Sequence, residues 1–370
     1  MNSSSRLTRG GALLAAAALV AGGAGTAVAA SAPAQPAAHS TEHTNVFTSV
    51  PFSSAAVAAG TSAGTLSVSW SAPHLLGAVA VFAGTTSKTQ TRFLGFGKTT
   101  DTLTVTAKYG EWIKLVPTIG QPLVLTVRDL GLASDPNLRD VGGYRTTDGQ
   151  WVRMGSVYRS QALSLSSSDL AVVDTLGITN DYDLRTTSEI AAGPDVVPAG
   201  ATYTNLNVMA DISLTPTLTS PAAAEQYMQQ LEQFFVTDAN ARAQFGTLLT
   251  GIADSKGATL LHCTAGKDRT GWATAVMLTL LGVPQDTVMQ DYLLSNTYYY
   301  DSPAIQGELA SMPAAEATVY APMLQVQASY LQAGLDQVTA SYGSMYNYAV
   351  HGLGLSPQTI AKLRAKLLVG

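Results

Sequence analysis

The 370-residue chain has a single cysteine, Cys263. That excludes an internal disulfide framework and leaves one free thiol with no resolving partner when it is oxidised. Charge is sparse. Asp, Glu, Lys and Arg make up 12% of the residues, lysines are few, and the formal net charge is -5. A mildly acidic chain of this kind argues against nucleic acid as a partner and against tight electrostatic adsorption to anionic membranes. Beyond residue 30 no apolar run is long enough to cross a bilayer, so stable membrane insertion is not expected.

What is present begins with a leader pattern. Arg6 and Arg9 precede an apolar stretch from Ala12 to Val20, small residues extend it to Ala30, and Ala27-Val28-Ala29 supplies a small-residue cleavage pattern. The apolar core is too short for a membrane anchor, so residues 1–30 read as a cleavable secretory signal peptide and the protein is expected outside the cell. There is no adjacent arginine pair, which favours the general secretion route. Removing the leader takes away two arginines and no acids, moving the formal charge from -5 to -7. Residues 31–44, rich in Ala, Pro, Ser and His, read as a flexible linker.

Residues 45–126 show short alternating runs divided by Gly, Thr and Ser. Thr65-Leu66-Ser67-Val68-Ser69-Trp70 and Thr102-Leu103-Thr104-Val105-Thr106-Ala107 alternate cleanly, and 78–82, 112–116 and 123–127 are further strand candidates. Six or seven short strands in so few residues predict an all-β sandwich that resembles fibronectin type III modules, with Trp70 as a core aromatic. Such a domain serves as a binding module for carbohydrate or surfaces, or as a docked support. The absence of an obvious aromatic platform favours support.

From residue 127 to 370 strands alternate with helices, which predicts an α/β domain with a mostly parallel central sheet flanked by helices. Helices are expected over 167–176, capped by Ser166 or Ser167, over 221–235, opened by Ser220 and Pro221, and over 357–368, capped by Ser356. Within this region residues 258–262 form a short apolar strand. After residue 271, Trp272, Ala273, Val276, Met277, Leu280 and Leu281 recur at helical spacing until Gly282 and Pro284. Between the two lies His262-Cys263-Thr264-Ala265-Gly266-Lys267-Asp268-Arg269-Thr270-Gly271.

A loop joining a strand to a helix can turn its N–H groups inward while the helix N-terminus faces the same point, so it holds an anion without a metal. The same environment favours the thiolate of Cys263. Arg269 has the planar fork that grips two phosphoryl oxygens. Cys263 is therefore the expected nucleophile, attacking phosphorus to form a phosphocysteine that water then hydrolyses. An inert buried cysteine is the plain alternative, but it does not explain His, Gly, Arg and Gly at these fixed offsets. No metal or cofactor is required.

This stretch resembles the loop of the secreted bacterial protein-tyrosine phosphatases of the mycobacterial type. The likeness continues through Asn137-Leu138-Arg139-Asp140-Val141-Gly142-Gly143-Tyr144, Val157-Tyr158-Arg159-Ser160, Asp183-Leu184-Arg185-Thr186 with Glu189, and Asp291-Tyr292-Leu293-Leu294-Ser295-Asn296. It ends with Tyr342-Gly343-Ser344 and Gly352-Leu353-Gly354-Leu355-Ser356, and so covers about residues 127–370. The resemblance implies a cysteine-phosphatase fold, a phosphorylated protein or phosphoinositide as substrate, and Asp211 as general acid. Asp268, inside the cradle, is the competing candidate, with ordering of the loop as its other role. The resemblance also gives Thr270 a part in phosphocysteine breakdown, beside its plainer reading as a helix-cap hydroxyl.

Thr264, Ala265, Gly266 and Lys267 are the expected phosphate-binding set. His262, before the nucleophile, is expected to fix the loop by a hydrogen bond. Lys267 either adds a cation to the cup, favouring strongly anionic ligands, or points out to solvent. Arg139, Asp140, Arg159 and Arg185 read as structural tethers. Segments 212–219 and 298–313 are candidates for cover over the site, and Tyr298-Tyr299-Tyr300 either lines a pocket for an aromatic substrate or forms half-buried helix surface. Rival readings are an extracellular cysteine phytase, which predicts a deep basic pocket, a non-catalytic phosphate-binding adhesion module, and a rhodanese-type sulfur transferase, which the Gly-Lys-Asp-Arg-Thr-Gly continuation fits poorly.

Overall fold

The computed structural model describes residues 47–210 and 218–370. The expected signal peptide, the linker, Asp211 and most of the 212–219 segment lie outside the described residues.

Seven strands open the described chain: β1 (Ser54–Ala59), β2 (Thr65–Ser71), β3 (Val79–Gly84), β4 (Arg92–Gly97), β5 (Thr100–Thr106), β6 (Trp112–Pro117) and β7 (Leu123–Leu125). They form two antiparallel sheets, ordered β1-β2-β5 and β4-β3-β6-β7. The period of two puts Leu66, Val68 and Trp70 of β2 inward, opposite Val79, Val81, Ile113 and Leu115 of the other sheet. Trp70 fills the centre, and its indole N–H donates to the Lys98 carbonyl at 2.9 Å. Gly97 permits this, because a Cβ there would lie 2.4 Å from the indole ring.

The second region begins with β8 (Arg139–Asp140), β9 (Trp151–Val152), β10 (Val157–Ser160), α1 (Ser167–Val173), β11 (Ile178–Asp183), α2 (Thr187–Ala192) and β12 (Thr202–Asn205). After it come α3 (Pro221–Thr237), α4 (Ala239–Asp254), β13 (Ala258–His262), α5 (Arg269–Leu281) and α6 (Gln285–Ser295). A π-turn, Asn296–Tyr300, leads to α7 (Pro303–Ser311), α8 (Ala314–Leu324), α9 (Ala328–Tyr342), α10 (Met345–Asn347), α11 (Pro357–Leu367) and β14 (Leu368–Val369). The helix starts follow the local signals: Ser166, Ser220 and Ser356 each cap the helix that follows.

The central sheet runs β12-β11-β13-β10-β8. Its β12–β11, β11–β13 and β13–β10 pairs are parallel, and β8 joins antiparallel at the edge. All five residues of β13 are buried, as a strand covered on both faces requires. Helix α5 is apolar nearly all round and is buried to match, with Trp272 at its start fully enclosed.

The sandwich core reaches into the second region. Trp151 and Met154, from beyond the expected boundary at residue 126, pack among the sandwich residues. The Trp151 indole N–H donates to the Phe52 carbonyl at 3.3 Å. The C-terminus closes the junction, with β14 pairing to β9 and Gln150 donating to the Gly370 carbonyl at 2.7 Å. No helix among the described residues is long and apolar enough to cross a membrane.

Candidate active site

The loop from His262 to Gly271 leaves the carboxyl end of the central strand β13, where open α/β sheets place their ligands. Three successive carbonyls are held from outside. The Thr264 carbonyl accepts from the Ala162 N–H at 3.1 Å. That of Ala265 accepts from Asn137 Nδ2 at 2.8 Å, and that of Gly266 from Arg159 Nη2 at 2.8 Å. A trans peptide points its N–H opposite its carbonyl. The N–H groups of Ala265, Gly266 and Lys267 therefore turn to the other side, where Cys263 lies. Gly266 makes the turn possible: its φ is +69°, and a Cβ would meet the Ser160 carbonyl at 2.3 Å. Asp268 precedes α5 without a side-chain cap bond, so the helix's first N–H groups stay open toward the same point.

Arg269 is aimed by Glu189. Nη1 donates to Glu189 Oε2 and Nη2 to Oε1, both at 2.7 Å. Glu189 also accepts from Thr264 Oγ1 and closes the capping box at the start of α2, taking the Thr186 N–H at 2.9 Å. Burial pushes the Glu189 carboxyl up, but the Arg269 guanidinium and these donors outweigh it and hold it at about 2. Sequence reasoning gives Glu189 no role in the site, although Thr186-x-x-Glu189 carries the capping-box signal.

A cleft of about 620 Å³, partly continuous with solvent, opens over this loop. Cys263, Thr264, Ala265, Lys267, Asp268, Arg269 and Glu189 line it on one side. Tyr227, Met228 and Leu231 of α3, Tyr299 of the π-turn, and Tyr320, Met323 and Leu324 of α8 form an apolar wall. Lys267 does not point out to solvent. It is 3% exposed, and its ammonium donates to both oxygens of Asp268 at 2.8 and 2.9 Å.

His262 and Gly266 are not among the lining residues. The imidazole of His262 is fully buried beneath the loop. Asp181 lies 3.3 Å and Asp195 3.5 Å from its Nε2, and Asp183 lies 3.8 Å from its Nδ1. These are ion-pair distances. Burial alone would depress its pKa, but the three carboxylates outweigh it and raise it to about 9. The backbone does the fixing: the His262 carbonyl accepts from the Leu184 N–H at 2.9 Å. Asp183 and Asp195 are also bound by Arg185, at 2.9 and 2.5 Å, so an arginine already sits where a metal would have to bind.

Thr270 is buried and its Oγ1 has no partner among the described residues, so it does not cap the helix. Arg139, Asp140, Arg159 and Arg185 are all buried tethers. Arg159 joins Asp291 at 2.9 Å, and Asp291 in turn accepts from Tyr144 Oη at 2.9 Å. Asp211, the expected acid, lies outside the described residues.

A fold and a loop of this kind belong to a phosphoric monoester hydrolase. The sequence pattern of the tyrosine phosphatase family matches residues 130–369. A protein of Cupriavidus necator that carries a tyrosine-protein phosphatase name is 33% identical over 250 residues, covering 65% of this chain and 89% of its own length. The triple specificity protein phosphatase PtpB of Mycobacterium tuberculosis is 29% identical over 271 residues, 63% of this chain and 96% of its own. A tyrosine-protein phosphatase of Nostoc commune is 30% identical over 214 residues, 55% of this chain and 70% of its own. The chain belongs to the tyrosine phosphatase family.

Proposed function

We propose that the protein is a secreted cysteine-dependent phosphomonoesterase that acts through a phosphocysteine, with phosphotyrosine proteins as its main substrates. The observation that carries this reading is Cys263 at the base of a loop with three successive carbonyls tied outward, beside an arginine aimed by a buried carboxylate.

In this mechanism the loop N–H groups and α5 hold the phosphoryl oxygens, and the Cys263 sulfur attacks phosphorus in line with the leaving oxygen. The two terminal nitrogens of Arg269 are engaged by Glu189. Its Nε–H, and an Nη2–H freed from the 3.4 Å contact with Thr264, remain to grip the phosphoryl group. Water then cleaves the S–P bond, releasing phosphate and restoring the thiolate. Asp211 serves as general acid for the leaving oxygen. Asp268 fits that role less well, because Lys267 occupies both its oxygens. Thr270, with a free buried hydroxyl next to Arg269, assists phosphocysteine breakdown.

The apolar wall of Tyr227, Tyr299, Tyr320 and Met323 suits an aryl ester better than a polyanion. Activity beyond phosphotyrosine, on phosphoserine/threonine or phosphoinositide, belongs to the same proposal, and a relative named for triple specificity supports a broad substrate range. The phytase reading is disfavoured because both cations lining the cleft, Lys267 and Arg269, are already paired with acids. The N-terminal sheets act as a fibronectin-III-like support rather than an adhesion module, since their core extends into the catalytic region. Phosphate release from p-nitrophenyl phosphate, a phosphotyrosine peptide and a phosphoinositide, measured beside Cys263→Ser, tests the function. The wild type turns over at least one substrate and the variant none. Equal activities, or none in either, contradict it.

A further inference from the structure

We propose that Tyr299 is a substrate-binding residue, its hydroxyl donating a hydrogen bond to a non-bridging oxygen of the bound phosphoryl group. The inference rests on the function proposed above.

The π-turn is what brings the ring to the cleft. In Asn296–Tyr300 the helix widens by one residue per turn, a distortion that recurs at functional sites. Its three consecutive tyrosines then take separate directions. Tyr298 lies under Arg139, 5.3 Å from the guanidinium, Tyr300 is half-buried, and Tyr299 lines the cleft with Cys263 and Arg269. The turn is pinned. Asn296 exchanges two 2.8 Å hydrogen bonds with the backbone of Val326, and the Ser302 N–H donates to the Tyr299 carbonyl at 3.1 Å.

The hydroxyl is unsatisfied. Tyr299 is 4% exposed, and its Oη has no partner among the described residues. Three other enclosed tyrosines are satisfied: Tyr292 on Glu232, Tyr330 on the Pro322 carbonyl and Tyr348 on the Phe235 carbonyl. A buried hydroxyl without a partner destabilises the free protein, and such groups are rare enough to require a reason. A ligand that enters the cleft and brings acceptor oxygens supplies one. Burial, then the charges of Glu308, Asp268 and Cys263, raise the phenol well above its ordinary range, so it remains a donor at every working pH. A phosphoryl group held over Cys263 brings charged acceptors into the cleft that Tyr299 lines, and a neutral donor binds them without the like-charge penalty that a carboxylate would suffer.

Tyr299→Phe keeps the ring and removes only the hydroxyl. The expected result is a roughly tenfold or larger rise in the inhibition constant for inorganic phosphate, with a comparable fall in kcat/KM for p-nitrophenyl phosphate. The thermal midpoint of the free protein stays unchanged or rises, because an unsatisfied buried group has been deleted. Tyr300→Phe, at a half-buried neighbour, serves as control. If the wild type is active and the Tyr299→Phe variant matches it within about twofold in both phosphate inhibition and turnover, this inference alone is overturned. A lowered midpoint with unchanged phosphate inhibition overturns it too. A wild type that neither binds nor hydrolyses phosphate esters overturns the proposed function and this inference together.

Discussion

Glu189 meets Arg269 through two parallel hydrogen bonds of 2.7 Å, and both side chains are almost wholly buried. One carboxylate thus starts helix α2, holds the loop through Thr264 and sets the plane of the guanidinium. Removing one partner of a buried pair leaves the other uncompensated. Glu189→Ala is expected to lower stability by roughly 3–5 kcal/mol and to reduce kcat/KM at least tenfold, while Glu189→Gln recovers part of the stability. Chemical denaturation and steady-state kinetics check both. Wild-type kinetics in the alanine variant would show that Arg269 needs no orienting partner.

Arg159 links the cradle to the remainder of the domain. It donates to the Gly266 carbonyl at 2.8 Å and pairs with Asp291, itself bonded to Tyr144. Arg159→Met frees that carbonyl and lets the loop peptide rotate its N–H away from the anion. The expected outcome is weaker inhibition by inorganic phosphate, by about tenfold, beside a stability loss of roughly 3 kcal/mol or more. A stability loss with unchanged phosphate inhibition at low temperature restricts Arg159 to a structural role.

The pH dependence of stability follows from two groups with opposite signs. The pKa of His262 is raised from 6.5 to about 9, so its contribution is complete below pH 6.5 and is lost as pH climbs through about 9. Glu189 is lowered from 4.5 to about 2, so its contribution is present above pH 4.5 and disappears as pH falls through about 2. Thermal midpoints are therefore expected to fall on both sides of a plateau between these windows. His262→Gln should flatten the alkaline limb. An unchanged alkaline slope in that variant assigns the loss to other groups.

The sandwich is expected to be indispensable. Deleting residues 47–126 strips the cover from Trp151 and Met154, both of which belong to the sandwich core. The fragment 127–370 should be insoluble or unfolded, and Trp151→Ala in the full chain should cost about 3–5 kcal/mol. A soluble, fully active fragment would make the sandwich a mere appendage.

The loop was legible because its signals are local: a buried strand, glycines where backbone must approach closely, and a helix that follows at once. The same holds for the helix starts at Ser166, Ser220 and Ser356, and for alternation in β2. What was not legible depends on the distant chain. Glu189 lies 80 residues from Arg269, and only the resemblance, which gave it no role in the site, marked it. The reach of Trp151 into the sandwich core has no local signature, since an indole in a two-residue strand can pack on either neighbour. The tyrosine run gave no direction to its rings, because a π-turn rotates them differently from an α-helix. Lys267 was open between cradle and solvent, and the bond to Asp268 settles it through packing that sequence spacing does not encode.

The central claim is a covalent phosphoryl group on Cys263. Acid quenching of the enzyme during turnover of p-nitrophenyl phosphate, followed by mass spectrometry of the peptide containing residues 257–267, measures it directly. The account predicts one added phosphoryl group on Cys263 in the wild type, accumulating further in Thr270→Ala and absent in Cys263→Ser. Steady turnover with no phosphorylated cysteine in either the wild type or the Thr270 variant would contradict it.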